Sequence, residues 1–115
     1  MAECKNLELY CKQTKNYELL FKENGLGVDI TDWTVYMTVK TNASDSDAIA
    51  KIDKKVTTHT DAPNGKTIIE LSSTDTDLDA GNYYYDIAYK DDDSNEGVLF
   101  QGRLRIIEPI RKTRD

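Results

Sequence analysis

The sequence predicts an all-β protein, an antiparallel β-sandwich of about seven short strands forming a single domain over residues 1–115. Three observations carry the prediction. Apolar and polar residues alternate with period two along nearly the whole chain, and a period of 3.6 nowhere persists long enough for a helix of ordinary length. Clusters of Gly, Pro, Asn, Asp and Ser break the alternation at the spacing of short strands. A chain of 115 residues, 38% hydrophobic and 31% charged, lies in the globular range and can bury one core but not two.

Leu7, Leu9 and Cys11 alternate with Glu8, Tyr10 and Lys12 as the first strand. Tyr17, Leu19 and Phe21 against Glu18 and Lys22 make the second. Asn24-Gly25-Leu26-Gly27 accepts positive φ, so the chain turns there, and a second polar bend spans 29–32. In the third strand Trp33, Val35, Met37 and Val39 share one face while Thr34, Tyr36, Thr38 and Lys40 share the other, the pattern of a sheet wet on one side. A loop at 41–47 leads to a weaker strand around 50–56, whose small and charged residues suit an edge. Pro63-Asn64-Gly65 turns the chain into Thr67, Ile69 and Leu71, the fifth strand.

Ser72-Ser73-Thr74-Asp75 has capping-box spacing and predicts one short helical turn to about Asp79, ended by Gly81, with Leu78 pointing inward. Tyr83, Tyr85, Ile87 and Tyr89 form one face of strand six. A polar hairpin from Asp91 to Gly97 then leads into Val98, Phe100, Gly102, Leu104 and Ile106 on strand seven. Val98-Leu99-Phe100-Gln101-Gly102 looks like a protease-cleavage tag, but the alternation runs on through Arg103-Leu104-Arg105-Ile106, so it reads as native strand. Pro109 removes a ladder donor and ends the sheet, leaving a short basic tail from about residue 108. One detail selects the architecture. Leu78-Asp79-Ala80-Gly81-Asn82-Tyr83 places a Tyr at the start of a strand just after a turn, the position of a tyrosine corner. That favours an immunoglobulin-like sandwich over a small barrel, with Leu78, Gly81 and Tyr83 forming the corner and Trp33 packed against it without a disulfide.

Fifteen Lys and Arg against 21 Asp and Glu give a net charge of −6, and the stretch 75–96 holds eight acids with Lys90 its one base. Direct binding to a phosphate backbone wants a clustered basic face, and the chain as a whole is acidic, so the expectation is no nucleic-acid ligand. Arg111-Lys112-Thr113-Arg114 reads as a solvated tail. No run of about 18 apolar residues exists, and no basic-then-apolar leader opens the chain, which predicts no membrane span and synthesis in a cytoplasm. Cys4 and Cys11 match no zinc spacing and read as reduced thiols, Cys4 in a mobile end and Cys11 on the inward face.

Catalysis needs a base, a nucleophile or a metal in a pocket, and the inventory is thin. His59 lies in a polar loop with no second candidate near it and reads as an exposed histidine without a role. The run from Asp75 to Asp86 offers oxygens at calcium-loop spacing, but Ala80 stands where that loop demands Gly and Asp86 where it expects Glu. A capped acidic turn is the simpler reading, and Asp91 to Glu96 reads as a solvated hairpin. The expectation is a non-enzyme with no catalytic residue, cofactor or metal. If strands three, six and seven share a sheet, Tyr36, Tyr84, Leu99, Arg103 and Arg105 are displayed together on its wet face, either as an interface or as ordinary surface.

The stretch Ile69-Glu70-Leu71-Ser72-Ser73-Thr74-Asp75-Thr76-Asp77-Leu78-Asp79-Ala80-Gly81-Asn82-Tyr83-Tyr84-Tyr85-Asp86-Ile87, with the hairpin into Val98 to Ile106, carries a resemblance. It resembles the immunoglobulin-like domains of tailed-bacteriophage virion proteins, in particular the N-terminal domain of siphophage baseplate upper proteins, over roughly Tyr17 to Ile107. The resemblance implies a non-enzymatic structural part of a phage particle, located in the virion and docked to other virion proteins, with a homo-oligomer in the assembly. Baseplate upper proteins carry further segments after this domain, so a decoration, connector or adaptor role stands beside tail and baseplate. Two rival classes remain: a carbohydrate-binding module stacking sugars on Tyr36 and Tyr84, and an acidic anti-defence inhibitor using the acids of 75–96 as a nucleic-acid mimic.

Overall fold

Ten β-strands build the described part of the chain, which in this computed structural model comprises residues 3–42, 44–46 and 49–110. They are β1 (Glu3–Cys4), β2 (Leu7–Tyr10), β3 (Lys15–Leu20), β4 (Lys22–Glu23), β5 (Leu26–Gly27), β6 (Thr34–Lys40), β7 (Ile52–Val56), β8 (Lys66–Leu71), β9 (Gly81–Lys90) and β10 (Glu96–Ile107). A 3-10 turn at Ala62–Asn64 accompanies them. The all-β class is as the alternation requires. The count is ten and not seven because β1, β4 and β5 have two residues each, too short for any period to register. The basic tail from 111 onward, and positions 43 and 47 of the expected loop, lie outside the described residues.

The large sheet runs β1-β10-β9-β6-β7, with β2 also paired to β10; β3 pairs with β8 and β4 with β5 in two smaller sheets. Among the described strands every pairing is antiparallel except those of β1 and β2, which both lie parallel to β10. The large sheet is therefore mixed, a correction to the purely antiparallel expectation. Parallel neighbours need a long crossover. Here nearly the whole chain separates β2 from β10, a relation that local alternation does not encode. The backbone of Cys4 belongs to β1, opposite Gln101, and so is not the loose end that the sequence suggested.

Inward residues of both main sheets meet in one cluster. Val35, Met37 and Val39 of β6, Tyr83, Tyr85 and Ile87 of β9 and Leu104 and Ile106 of β10 face Leu19 of β3 and Ile69 and Leu71 of β8. Burial at roughly 1.5–3 kcal/mol per aliphatic side chain makes this cluster the main stabilising term. β7 lies at the outer edge beside β6, as its composition predicts.

Two expected contacts come out differently. Trp33 does not reach the Tyr83 corner. It stacks on Tyr89 at 5.1 Å and meets Phe21 edge-on at 5.5 Å, because antiparallel register sets Val35 opposite Tyr89 and so puts Trp33 near the far end of β9. The helical turn also stops short. Ser72 N–H donates to Asp75 Oδ2 (2.8 Å) and Asp75 N–H to Ser72 Oγ (3.2 Å), so the capping box forms, but it closes only a hydrogen-bonded turn over 73–76. Gly81, at φ 153, opens β9 rather than ending a helix.

At the other edge, the link between β1 and β2 presses on β10. Lys5 N–H donates to the Gln101 carbonyl at 2.9 Å, and Asn6 Oδ1 accepts from Arg103 N–H at 3.2 Å. A Cβ on Gly102 would stand 2.2 Å from the Lys5 carbonyl oxygen, so this position requires Gly. The tag-like Val98 to Gly102 run is thus the middle of β10.

Candidate functional site

The outward face of the large sheet is built by register. Arg103 of β10 lies opposite Tyr84 of β9, which lies opposite Lys40 of β6. The next row is Gln101, Asp86, Thr38 and Asp53, and the one after it Ala88, Tyr36 and Lys55. Successive rows on one face are two residues apart, about 7 Å along the strands. A row bearing two cations therefore adjoins a row bearing two carboxylates. These side chains line a trough of about 990 Å³ along the sheet. Tyr84 is 41% exposed, and Tyr36 is half-buried among its neighbours.

The structure thus brings Tyr36, Tyr84 and Arg103 onto one face. Arg105 lies opposite Asn82, one row beyond Arg103, and borders the face outside the trough. Leu99 is a correction. The register shifts between Val98 and Phe100, and the bulge leaves Leu99 half-buried against the core cluster instead of displayed. Tyr36 and Tyr84 are four residues apart in register on neighbouring strands, about 14 Å along the sheet, so they form two separate ring surfaces.

The acids of 75–96 are dispersed over the length of β9. Asp75 and Asp77 lie in the turn before it, Asp86 mid-strand, and Asp91 to Asp93 in the hairpin beyond its far end. Ten strand residues span about 30 Å. Burial disfavours the charged form of Asp75, but Lys54 Nζ at 2.7 Å and two hydrogen bonds from Ser72 outweigh it and hold the carboxyl below its ordinary range. Asp77 Oδ1 accepts from Cys11 Sγ at 3.6 Å. Burial first, then the Asp77 carboxylate, pushes the Cys11 thiol up, so it stays protonated. Among the described residues no three His, Cys, Asp or Glu side chains are grouped as metal ligands, and no helix is long and apolar enough to cross a membrane.

At the corner, the Tyr83 hydroxyl donates to the Asp79 carbonyl at 2.7 Å, with its ring in the core and Leu78 partly buried against the same cluster. Burial, with the Asp79 carboxylate next, raises the phenol pKa. His59 is a further correction. It is half-buried, with Nε2 2.8 Å from the Trp33 carbonyl and Nδ1 2.9 Å from Thr67 Oγ1. A carbonyl only accepts, so Nε2 carries a proton, and in the neutral ring Nδ1 accepts from the Thr67 hydroxyl. Thr67 is a polar residue at an inward position, so the sequence shows that its buried hydroxyl needs a hydrogen bond, while only the fold supplies His59 as the partner. No protein-family model matches the chain, and no curated protein matches it.

Proposed function

We propose that the chain is an immunoglobulin-like sandwich module serving as a non-enzymatic structural part of a tailed-phage particle, docked to other virion proteins through the outward face of its large sheet. The observation that carries this reading is that face: Tyr36, Tyr84, Arg103, Lys40 and Lys55 interleaved with Asp53 and Asp86 on neighbouring strands. Tyr and Arg over a rigid sheet are the side chains that dominate docking energetics. Three features support the sandwich assignment: the order β10-β9-β6-β7, a first strand parallel to the last, and a tyrosine hydroxyl bonded back four residues at the start of β9. The resemblance carried by residues 69–87 supports the virion placement.

The test is to purify particles of the phage that encodes the chain and count its peptides by quantitative mass spectrometry. A copy number matching a tail, portal or capsid symmetry supports the reading. Absence from the particle overturns it.

A further inference from the structure

We infer that Asn24-Gly25 is a self-modifying site, at which the folded protein converts Asn24 to aspartate or isoaspartate selectively over its other Asn-Gly pair, Asn64-Gly65. Asn-Gly is the dipeptide in which a backbone nitrogen reaches the preceding side-chain amide with least hindrance, because Gly has no Cβ. Both pairs sit in exposed turns by sequence. Their surroundings in the fold differ.

Asn24 and Gly25 form the two-residue loop of the β4–β5 hairpin, at φ 53 and φ 80, the type I′ geometry that Asn-Gly favours. Both residues are exposed, and a Cβ on Gly25 would meet nothing within 4 Å. Among the described residues no hydrogen bond holds the Asn24 amide or the Gly25 N–H. Two ladder pairs, Lys22 with Gly27 and Glu23 with Leu26, and one further hydrogen bond, from Val28 N–H to the Phe21 carbonyl at 2.9 Å, close the hairpin. So short a ladder opens easily, and opening lets the side-chain carbon reach the attacking nitrogen.

Asn64-Gly65 is held at every point the chemistry needs. Asn64 Nδ2 donates to Asp61 Oδ2 at 2.9 Å, which ties down the leaving amide. The Gly65 N–H, the group that must lose its proton, donates to the Ala62 carbonyl at 3.0 Å. Gly65 is buried, its carbonyl accepts from Phe21 N–H at 2.8 Å, and a Cβ there would stand 2.5 Å from the Phe21 carbonyl oxygen. Freeing this pair means lifting it off the chain that leads into Phe21, a core residue.

The reaction needs only water and hydroxide. Hydroxide removes the Gly25 amide proton, and the nitrogen attacks Asn24 Cγ. A C–N bond forms, the Cγ–Nδ2 bond breaks, and ammonia leaves with a proton from water. Water then opens the cyclic imide at either carbonyl, giving aspartate or isoaspartate. Either product adds a negative charge next to Glu23. Isoaspartate also routes the main chain through the former side chain and lengthens the loop that sets the β4–β5 register.

The test uses the full chain, incubated folded at mildly alkaline pH and mapped by peptide mass spectrometry over time, since each conversion adds about 1 Da. The expected result is that Asn24 converts at least about tenfold faster than Asn64 in the folded protein. In denaturant the two should convert at similar rates, because the dipeptides are the same and only the fold separates them. Equal folded rates, or Asn64 ahead, overturn the inference. Asn24→Gln should abolish the main acidic charge variant that accumulates, while Asn64→Gln should leave it; the reverse outcome also overturns it.

Discussion

At residue scale, two polar contacts fix parts of the core that volume alone leaves free. His59 joins the Trp33 carbonyl to the fully buried Thr67 hydroxyl, tying the start of β6 to β8 across the sheets. His59→Ala leaves both groups without that partner, and an unsatisfied buried group costs about 1–3 kcal/mol. Urea unfolding followed by the emission of Trp33, the single tryptophan, should show a lower midpoint with an unchanged slope. Tyr83→Phe removes one hydrogen bond and keeps the ring, so the expected loss is smaller, about 1 kcal/mol, or roughly 4–8 °C in Tm. The two sites also differ in how readable they were. The Tyr83 partner is four residues away, so a local run of sequence displays it. The partners of His59 are 8 and 26 residues away, and only the fold brings them together.

At element scale, the edge made by β1 and β2 depends on a backbone crossing with no room for a side chain. Gly102→Ala drives a Cβ into the Lys5 carbonyl, and since the obstacle is backbone, the edge strand has to move. Hydrogen exchange should show the Lys5 amide losing protection while β6 and β9 amides keep theirs; uniform loss would mean that the edge and the core open together. The turn between β8 and β9 titrates. Because the Asp75 carboxyl is held below its ordinary range, it binds a proton less readily folded than unfolded. Its contribution is complete above the unfolded value near 3.9, declines as pH falls through the lower folded value, and is gone beneath it. Asp75→Asn should therefore lower stability at neutral pH and flatten the acid limb of the stability profile. Long strands such as β6 and β9 were legible because each repeats its alternation several times. The hairpin β4–β5 showed only its turn residues, and the parallel pairing on β10 left no local trace. The bulge at Leu99 was hidden for a related reason: one extra residue flips which side chains face out, and the alternation through Val98, Phe100 and Gly102 does not reveal where the ladder slips.

At the scale of the whole molecule, the docking reading makes a demand that a merely solvated surface does not. On the outward face a cationic row, Arg103 and Lys40 flanking Tyr84, adjoins an anionic row, Asp86 and Asp53. If a neighbouring virion protein seats there, its charges must match that banding, and reversing one band sets like charges against each other. Arg103 is exposed, so Arg103→Glu should change folding stability by no more than about 0.5 kcal/mol. A contact carrying binding energy would lose more than about 1 kcal/mol, and each 1.4 kcal/mol is about tenfold in affinity. Lys66→Glu is the control: Lys66 is exposed on β8 in the opposite sheet, and the substitution changes the net charge by the same amount. The expected outcome is that both variants keep the parent Tm, and that only Arg103→Glu fails to enter assembled particles in a complementation assay. Equal incorporation of both variants would show that the face is ordinary surface. Equal failure would assign the effect to overall charge, because the two substitutions have nothing else in common.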